Sequence, residues 1–419
     1  MPSEQIDIVM FGMSCYTEWQ AGIANRNFHV LHTLLTDERV RKVVYVEYLP
    51  FTWKRALRQW LQNVVGGVGG MVLARGLSHK LTAVRESEIE RTGYKLESVQ
   101  PEAVPYKLFV YTDVGSVWSE ARVYQRLRQE LKRLDFKNIV LWSYLPTFTG
   151  YFGQLGERLS VFEAVDNWLE HSSYASLRDR LKLNYETIRH KADLIFTTSP
   201  DLVKFFDRTA GCMFIPNGVS LRHLATAPKV VGRDIANLPR PIIGYGGTLQ
   251  EDRLDVDLVR YLALANPTKS FVLLGSMWPG IRASLEQKLK PLPNVYFFGR
   301  KTYAEAQAYY REFTVAIIPY LQNEFNRHTN PLKLYEYLGV GKPVVATSRL
   351  GLEEFGDLIR VGVTPEDFNQ QLLKALAETG EAAAAGRKEF VQQHTWDVRV
   401  GVMLQQVSGK LPGTIDSVA

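Results

Sequence analysis

PIIGYGGTLQEDRLDVDLVRYLALANPTKSFVLLG, residues 241–275, reads as a strand, a helix and a second strand. Its ends, PIIGYGG (241–247) and SFVLLG (270–275), are continuous apolar runs, and DVDLVRYLALA between them carries apolar residues at helical spacing. The rhythm continues through NVYFFG (294–299), VAIIPY (315–320) and PVVATS (343–348), separated by the helix-like YAEAQAYYREF and LKLYEYLGV. Strands alternating with helices make a parallel sheet, and uninterrupted apolar strands suit burial on both faces.

The first half repeats the pattern more loosely. IDIVMFG (6–12), the helix-like NFHVLHTLL and VVYVEYL (43–49) come first; LFVYT, VYQRLRQELKRL, NIVLWSYL, LSVFEAV, a helix from Ser176 to Ala192, DLIFTTS and CMFIPNGV follow. This predicts a second doubly wound sheet, interrupted by an insertion at 51–100. Four parts result: a Rossmann-like domain over 1–226, a linker over 227–240 with prolines near its ends, a second Rossmann-like domain over 241–386, and a helical tail over 387–419. Two open α/β domains present a cleft between their strand carboxyl ends, where ligands bind.

Composition agrees with a folded chain of this size. Of 419 residues, 46% are apolar and 22% charged, which excludes a disordered chain. Two cysteines, Cys15 and Cys212, are too few for a disulfide framework or a cysteine metal site. The start, MPSEQIDIVMFGM, lacks the basic region and cleavage site of a signal peptide, so a cytoplasmic protein is expected. The apolar stretch Val64 to Ala74 falls well short of the ~20 residues that span a bilayer, so no transmembrane helix is expected.

Net charge is +6, from 50 basic and 44 acidic residues. Between Phe51 and Arg85 lie Lys54, Arg55, Arg58, Arg75, Lys80 and Arg85 with no Asp or Glu, so this segment holds the entire excess. In FTWKRALRQWL (51–61), Trp53 and Trp60 accompany Lys54, Arg55 and Arg58, a pattern that suits a helix on an anionic membrane surface. A solvated helix with buried tryptophans is the alternative. No recognised nucleic-acid module accompanies the charge, so nucleic acid is not expected as a partner.

Two stretches carry chemistry. In GYGGT (244–248) a strand runs into glycines whose backbone N–H groups can approach an anion closely, although Leu249 stands where the dinucleotide fingerprint needs glycine. A tight turn without a ligand reads equally from those residues. In RHTNPLKLYEYLGVGKPVVAT (327–347), Asn330 and Pro331 predict a helix start by capping and by proline at the first helical position. Lys333 and Glu336 then share one face: an anion at the helix start would meet free N–H groups and the Lys333 ammonium, and Glu336 could accept from a pair of sugar hydroxyls. An ordinary solvated Lys and Glu pair has the same spacing.

KLYEYLGVGKPVVAT, FIPNGVSLRHL (214–224), GYGGTLQEDRLDVDLV and ADLIFTTSPDL (192–202) resemble glycosyltransferase family 4 (group 1) over nearly the whole chain, especially enzymes of bacterial surface-polysaccharide and teichuronic acid synthesis. The resemblance implies the GT-B architecture, an α/β fold of two Rossmann-like parallel-sheet domains facing across a cleft. The second would bind a nucleotide-sugar donor such as a UDP- or GDP-sugar, and the tail around Trp396 would cross back to the first. By motif position, Gly247 and Thr248 would lie near the donor diphosphate, Lys333 would neutralise it, Glu336 would hold the ribose, and Gly299 and Arg300 would sit near the base. The family pair is Glu, seven residues, Glu; eight before Glu336 stands His328, so the carboxylate that contacts the transferred sugar is missing. His328, Thr329 and Asn330 are the candidates to replace it.

On the acceptor side, VFEAVDNW (161–168) ends a strand at Asp166, either a general base for the acceptor hydroxyl or a cap for a helix beginning NWLEH. Glu163 falls on the opposite strand face. The loop FGMSCYTEWQAGIANRN (11–27) offers Glu18, Asn25 and Arg26 as acceptor contacts or as solvated residues. Asp255-Val256-Asp257 matches a metal motif but sits at a helix start, where carboxylates favour the dipole; no metal or other cofactor is expected. His29 and His32 lack an obvious third ligand.

The reading is a nucleotide-sugar-dependent, metal-independent glycosyltransferase acting on a lipid-linked or glycan hydroxyl at the inner membrane face. With retention a leaving phosphate oxygen assists deprotonation; with inversion Asp166 is the base. An epimerase on the same scaffold, or a degenerate nucleotide-sugar-binding protein, are the alternatives.

Overall fold

The computed structural model describes residues 5–90, 106–208, 210–228, 233–347, 352–378 and 380–411. The stretches 91–100 of the expected insertion, 229–232 of the expected linker and 412–419 of the tail, like the first four residues, lie outside the described residues.

The first sheet has nine strands: β1 (Ile6–Phe11), β2 (Val40–Val46), β3 (Met71–Arg75), β4 (His79–Val84), β5 (Leu108–Asp113), β6 (Ile139–Ser143), β7 (Leu159–Ala164), β8 (Leu194–Thr197) and β9 (Cys212–Phe214). Their order is β3-β4-β5-β2-β1-β6-β7-β8-β9. The seven strands β5 to β9 in that order are parallel, while β3 and β4 pair antiparallel. Those two come from the insertion, which therefore extends the sheet; the apolar stretch Val64 to Ala74 is partly edge strand β3. The predicted helix over 51–61 is an α-helix, Trp53–Gln59, that passes directly into a π-helix, Trp60–Val65.

The second sheet contains β10 (Ile242–Gly246), β11 (Ser270–Leu274), β12 (Val295–Gly299), β13 (Val315–Ile318), β14 (Val344–Thr347) and β15 (Arg360–Gly362), all parallel, in the order β12-β11-β10-β13-β14-β15. Every apolar run singled out in this half contains one of these strands; β10, β11, β13 and β14 are buried throughout, while edge strand β12 is only partly buried. Strand order reverses at β1 in the first sheet and at β10 in the second. Each reversal leaves a crevice at the carboxyl ends of the strands.

The chain returns at its end. The helix Glu381–Gln392 packs on the second domain's helix Leu332–Gly339, and after a break the helix Trp396–Lys410 packs on Arg26–Thr36 of the first. Trp396, Val400, Met403, Leu404 and Val407 are buried in the first domain's core. Burying a tryptophan and four aliphatic side chains contributes roughly 1.5–3 kcal/mol each, enough to hold the strap down.

Candidate functional site

A cavity of about 480 Å³ lies where the two reversal points face each other. Its wall from the first domain comes from the ends of β1 and β7: Met13, Gly22 to Arg26, Val165 and Asp166. The second domain supplies Gly246, Gly247 and Thr248 after β10, Gly275 and Ser276 after β11, Arg300 after β12, Tyr320 after β13, and Thr329 to Lys333 with Glu336.

The glycine turn is shaped by its neighbours. Gly247 has φ +136°, and a Cβ there would lie 2.4 Å from Lys333 Nζ. The chain thus needs glycine to let the ammonium approach the turn. Lys333 is buried in the first turn of Leu332–Gly339, its Nζ 4.0 Å from the Tyr245 ring centroid and 5.0 Å from that of Tyr320. Burial pulls its pKa below the usual lysine range and the Tyr320 hydroxyl pushes it back up. Tyr320 is itself held below the ordinary phenol range, because Lys333 and Arg253 outweigh its own burial.

Arg253 is the main residue that sequence reasoning passed over. It follows the glycine turn in the quoted TLQEDR, stacks 4.9 Å from Phe325 and 5.4 Å from Tyr320, and places Nη2 3.8 Å from Asp166 Oδ2. Two cations therefore converge on one cavity. The available signal was a lone arginine shortly after a glycine turn, and Tyr320 at the carboxyl end of VAIIPY.

Glu336 lies one turn deeper than Lys333 and is buried. Burial raises its carboxyl to about 7, opposed by Lys333 and by hydrogen bonds from Tyr303 and Gln307. Asp166 follows β7 and caps no helix, since Leu169 N–H is taken by Asn167 and the chain turns into the 3₁₀ segment Ser172–Leu177. Its Oδ1 accepts from Thr329 Oγ1 at 3.2 Å. Burial raises its pKa and Arg253 opposes the rise.

Four expectations change place. Asn330 does not cap: the helix starts after Pro331 without a side-chain cap, and Asn330 instead accepts from Asn217 N–H at 2.9 Å through Oδ1 and at 2.5 Å from Asn217 Nδ2 through its carbonyl. His328 is not among the cavity residues; its Nε2 lies 3.9 Å from Glu324 and its Nδ1 is buried, while Thr329 faces Asp166. Glu18 stays out of the cavity because its Oε2 closes the first turn of its own helix on Cys15 N–H at 3.1 Å. Arg26 lines the cavity but is not a free acceptor contact: Nε bonds Glu163 at 2.5 Å and Nη1 bonds Asn217 and the Pro216 carbonyl, both at 3.1 Å. Glu163 also accepts from Trp142 and Tyr144, so it is a structural anion under the cleft floor.

Asn25 caps Arg26–Thr36 and reaches Ser14 with Nδ2 at 3.3 Å. Arg300 is exposed at the rim, its Nη2 3.4 Å from the Ala21 carbonyl, and Tyr303 N–H donates to the Gly22 carbonyl at 2.8 Å. Asp255 caps Val256–Ala265 and Asp257 pairs with Lys288 at 2.7 Å, which accounts for both carboxylates of the Asp-x-Asp match. His29 and His32 are buried, with His29 stacked on Trp396 at 5.0 Å.

Residues 256–405 match a family described as glycosyl transferase-like. The chain is 28% identical over 275 residues, 61% of its length and 68% of the relative's, to the Bacillus subtilis protein TuaH, described as a putative teichuronic acid biosynthesis glycosyltransferase. Among solved structures it is similar to Anabaena Alr3699/HepE in complex with UDP (TM-score 0.62, 14% identity, 97% of this chain and 100% of that one). Sucrose-phosphate synthase from Thermosynechococcus elongatus superposes at TM-score 0.64 with 15% identity, over 97% of this chain and 99% of that one. An E. coli trehalose-6-phosphate structure bound with UDP-2-fluoro glucose gives 0.63 and 11%, over 96% and 99%.

The fold is the GT-B architecture of two facing Rossmann-like domains, and over residues 256–405 the chain is similar to glycosyl transferases.

Proposed function

We propose that the protein transfers a sugar from a nucleoside-diphosphate-sugar, a UDP- or GDP-sugar, to a hydroxyl of a lipid-linked or growing glycan in bacterial cell-surface polysaccharide synthesis, working at the inner face of the cytoplasmic membrane. One observation carries it: the Lys333 and Glu336 helix face, the Gly247 turn and Asp166, from three separate parts of the sequence, line one cavity between the two sheets. The UDP complexes of the similar folds support a nucleotide donor, and the likeness to TuaH supports the polysaccharide setting.

The donor diphosphate would sit against the N–H groups of Gly247 and Thr248 with Lys333 and Arg253 on its flanks. These preorganised charges stabilise the leaving group without reorganisation during reaction, and in this reading they take the role a metal ion plays elsewhere. Glu336 accepts from ribose hydroxyls and Arg300 lies by the base. Thr329 and Asn330 face the transferred sugar where the family has a carboxylate. Asp166 holds the acceptor hydroxyl and takes its proton, with Arg253 keeping the carboxylate available below the pKa that burial alone would impose. Asn25 lines the acceptor side.

Calorimetry with UDP-, GDP- and dTDP-sugars, followed by a product assay with membrane lipid extract in buffer containing EDTA, tests the reading. Donor binding and a lengthened glycolipid product are expected. Tight donor binding with no transfer to any acceptor would make the protein a binding scaffold, and an isomerised donor formed without acceptor would make it an epimerase.

A further inference from the structure

Among the described residues, sixteen large apolar side chains are exposed, and eight of them, Val65 included, fall between Trp53 and Trp118 of the first domain. Trp53, Leu57 and Leu61 follow one another at helical spacing along Trp53–Gln59 and the π-helix, 58%, 61% and 55% exposed. Trp118, 61% exposed and outside the basic segment, meets Trp53 edge to face at 4.5 Å. Leu77, 93% exposed, caps the β3–β4 turn, tied to the same helix by Trp60 Nε1 donating to its carbonyl at 2.7 Å. Met71 and Val72 are also exposed on the open edge strand β3, on its two opposite sides.

The face is held firmly. Ala56 and Val64 pack on Val114. Asn63, fully buried, donates to Glu47 at 3.0 Å and accepts from Thr17 at 3.0 Å. Lys80 turns inward to the Gly66 carbonyl at 2.6 Å, which leaves Lys54, Arg55, Arg58, Arg75 and Arg85 as the exposed cations around the patch.

A soluble monomer rarely keeps such a patch uncovered. A second copy docking symmetrically would set these cations against their own equivalents, with no carboxylate between 51 and 85 to relieve them. We propose that this face is a docking surface for an anionic lipid bilayer, with Trp53, Trp118 and Leu77 entering the headgroup layer and the surrounding arginines and lysine meeting lipid phosphates. The proposal deepens the membrane partner of the reading above. It also orients the enzyme: the face grows from the carboxyl ends of β2 and β5, and Thr17 links it to the loop whose Gly22 to Arg26 line the cavity. An acceptor drawn from the bilayer would approach along that edge.

Flotation of the full chain with phosphatidylglycerol-containing vesicles and with pure phosphatidylcholine vesicles tests it. The wild type should float with the anionic vesicles only. The double variant Leu77→Ser, Trp118→Ser should reduce the bound fraction roughly tenfold or more, while Leu183→Ser and Val363→Ser, also exposed but elsewhere, should float like wild type. No flotation of the wild type, or undiminished flotation of the double variant, overturns the proposal. So does a concentration-dependent dimer dissolved by the same double variant, which would assign the face to a second copy. UDP calorimetry on the wild type separates the two readings: no UDP binding with flotation on anionic vesicles intact counts against the transferase assignment and leaves the surface standing.

Discussion

Thr329 Oγ1 donates a hydrogen bond to Asp166 Oδ1 at 3.2 Å across the cleft, joining the loop before the Lys333 helix to the end of β7. The bond places a carboxylate of one domain against the proposed donor-binding segment of the other. The other carboxylate oxygen, Oδ2, pairs with Arg253 at 3.8 Å.

If Asp166 accepts the acceptor proton, Asp166→Asn should keep donor affinity within about twofold and lower turnover about 10²–10⁴-fold. Thr329→Val should lower it far less. Steady-state kinetics with calorimetric donor binding makes the comparison, and a fully active Asp166→Asn enzyme would remove the base role.

Lys333→Met deletes a buried ammonium from the proposed diphosphate site. A charge-assisted hydrogen bond to an anion contributes about 1.5–3 kcal/mol, so UDP should bind roughly 10–150-fold more weakly. Some loss of stability should accompany it, because the ammonium no longer offsets the burial of Glu336; calorimetry and thermal denaturation check both halves.

Gly247→Ala attacks the same contact from the other side. The new Cβ would stand 2.4 Å from Lys333 Nζ on a backbone at φ +136°, so the ammonium must move. Loss of UDP binding comparable to that of Lys333→Met is expected, together with about 1–3 kcal/mol of destabilisation from backbone strain.

The Glu336 carboxyl is raised from 4.5 to about 7 by burial. A carboxyl whose folded pKa exceeds its unfolded value binds more protons when folded, so its contribution to stability declines as pH rises from about 4.5 to about 7. Glu336→Gln should therefore be more stable than wild type near pH 8, by up to about 3 kcal/mol. UDP-glucose should bind wild type more tightly as Glu336 ionises and bind the variant weakly at every pH. Glu47 is also raised to about 7 by burial, so the difference between variant and wild-type pH profiles, read by denaturation midpoints, is the diagnostic quantity.

Much of the second domain was legible because its signals are local. A buried parallel strand is a run of apolar residues, and Lys333 and Glu336 share a face through helical periodicity alone. The capping reading of Asn330 was also local, and it failed for that reason: Asn217, more than a hundred residues away, offers the side chain better partners than the helix start does. Arg26 and Glu163 were hidden in the same way. Each looks like an ordinary charged residue until the sheet brings β7 beside the helix Arg26–Thr36, and a buried charge then needs the other. The basic segment announced its charge but not its form, because antiparallel pairing of β3 with β4 and β5 depends on an edge left open by the rest of the sheet.

By itself the sequence determined the repeated strand and helix pattern, the glycine turn and the helix face of Lys333 and Glu336, since neighbours along the chain set those. Tertiary structure alone decided that Arg253 and Tyr320 join that face, that Thr329 rather than His328 meets Asp166, and that Trp118 and Leu77 extend the basic face. Those relations depend on strand order and domain contact, which bring together residues whose spacing in the chain carries no trace of the meeting.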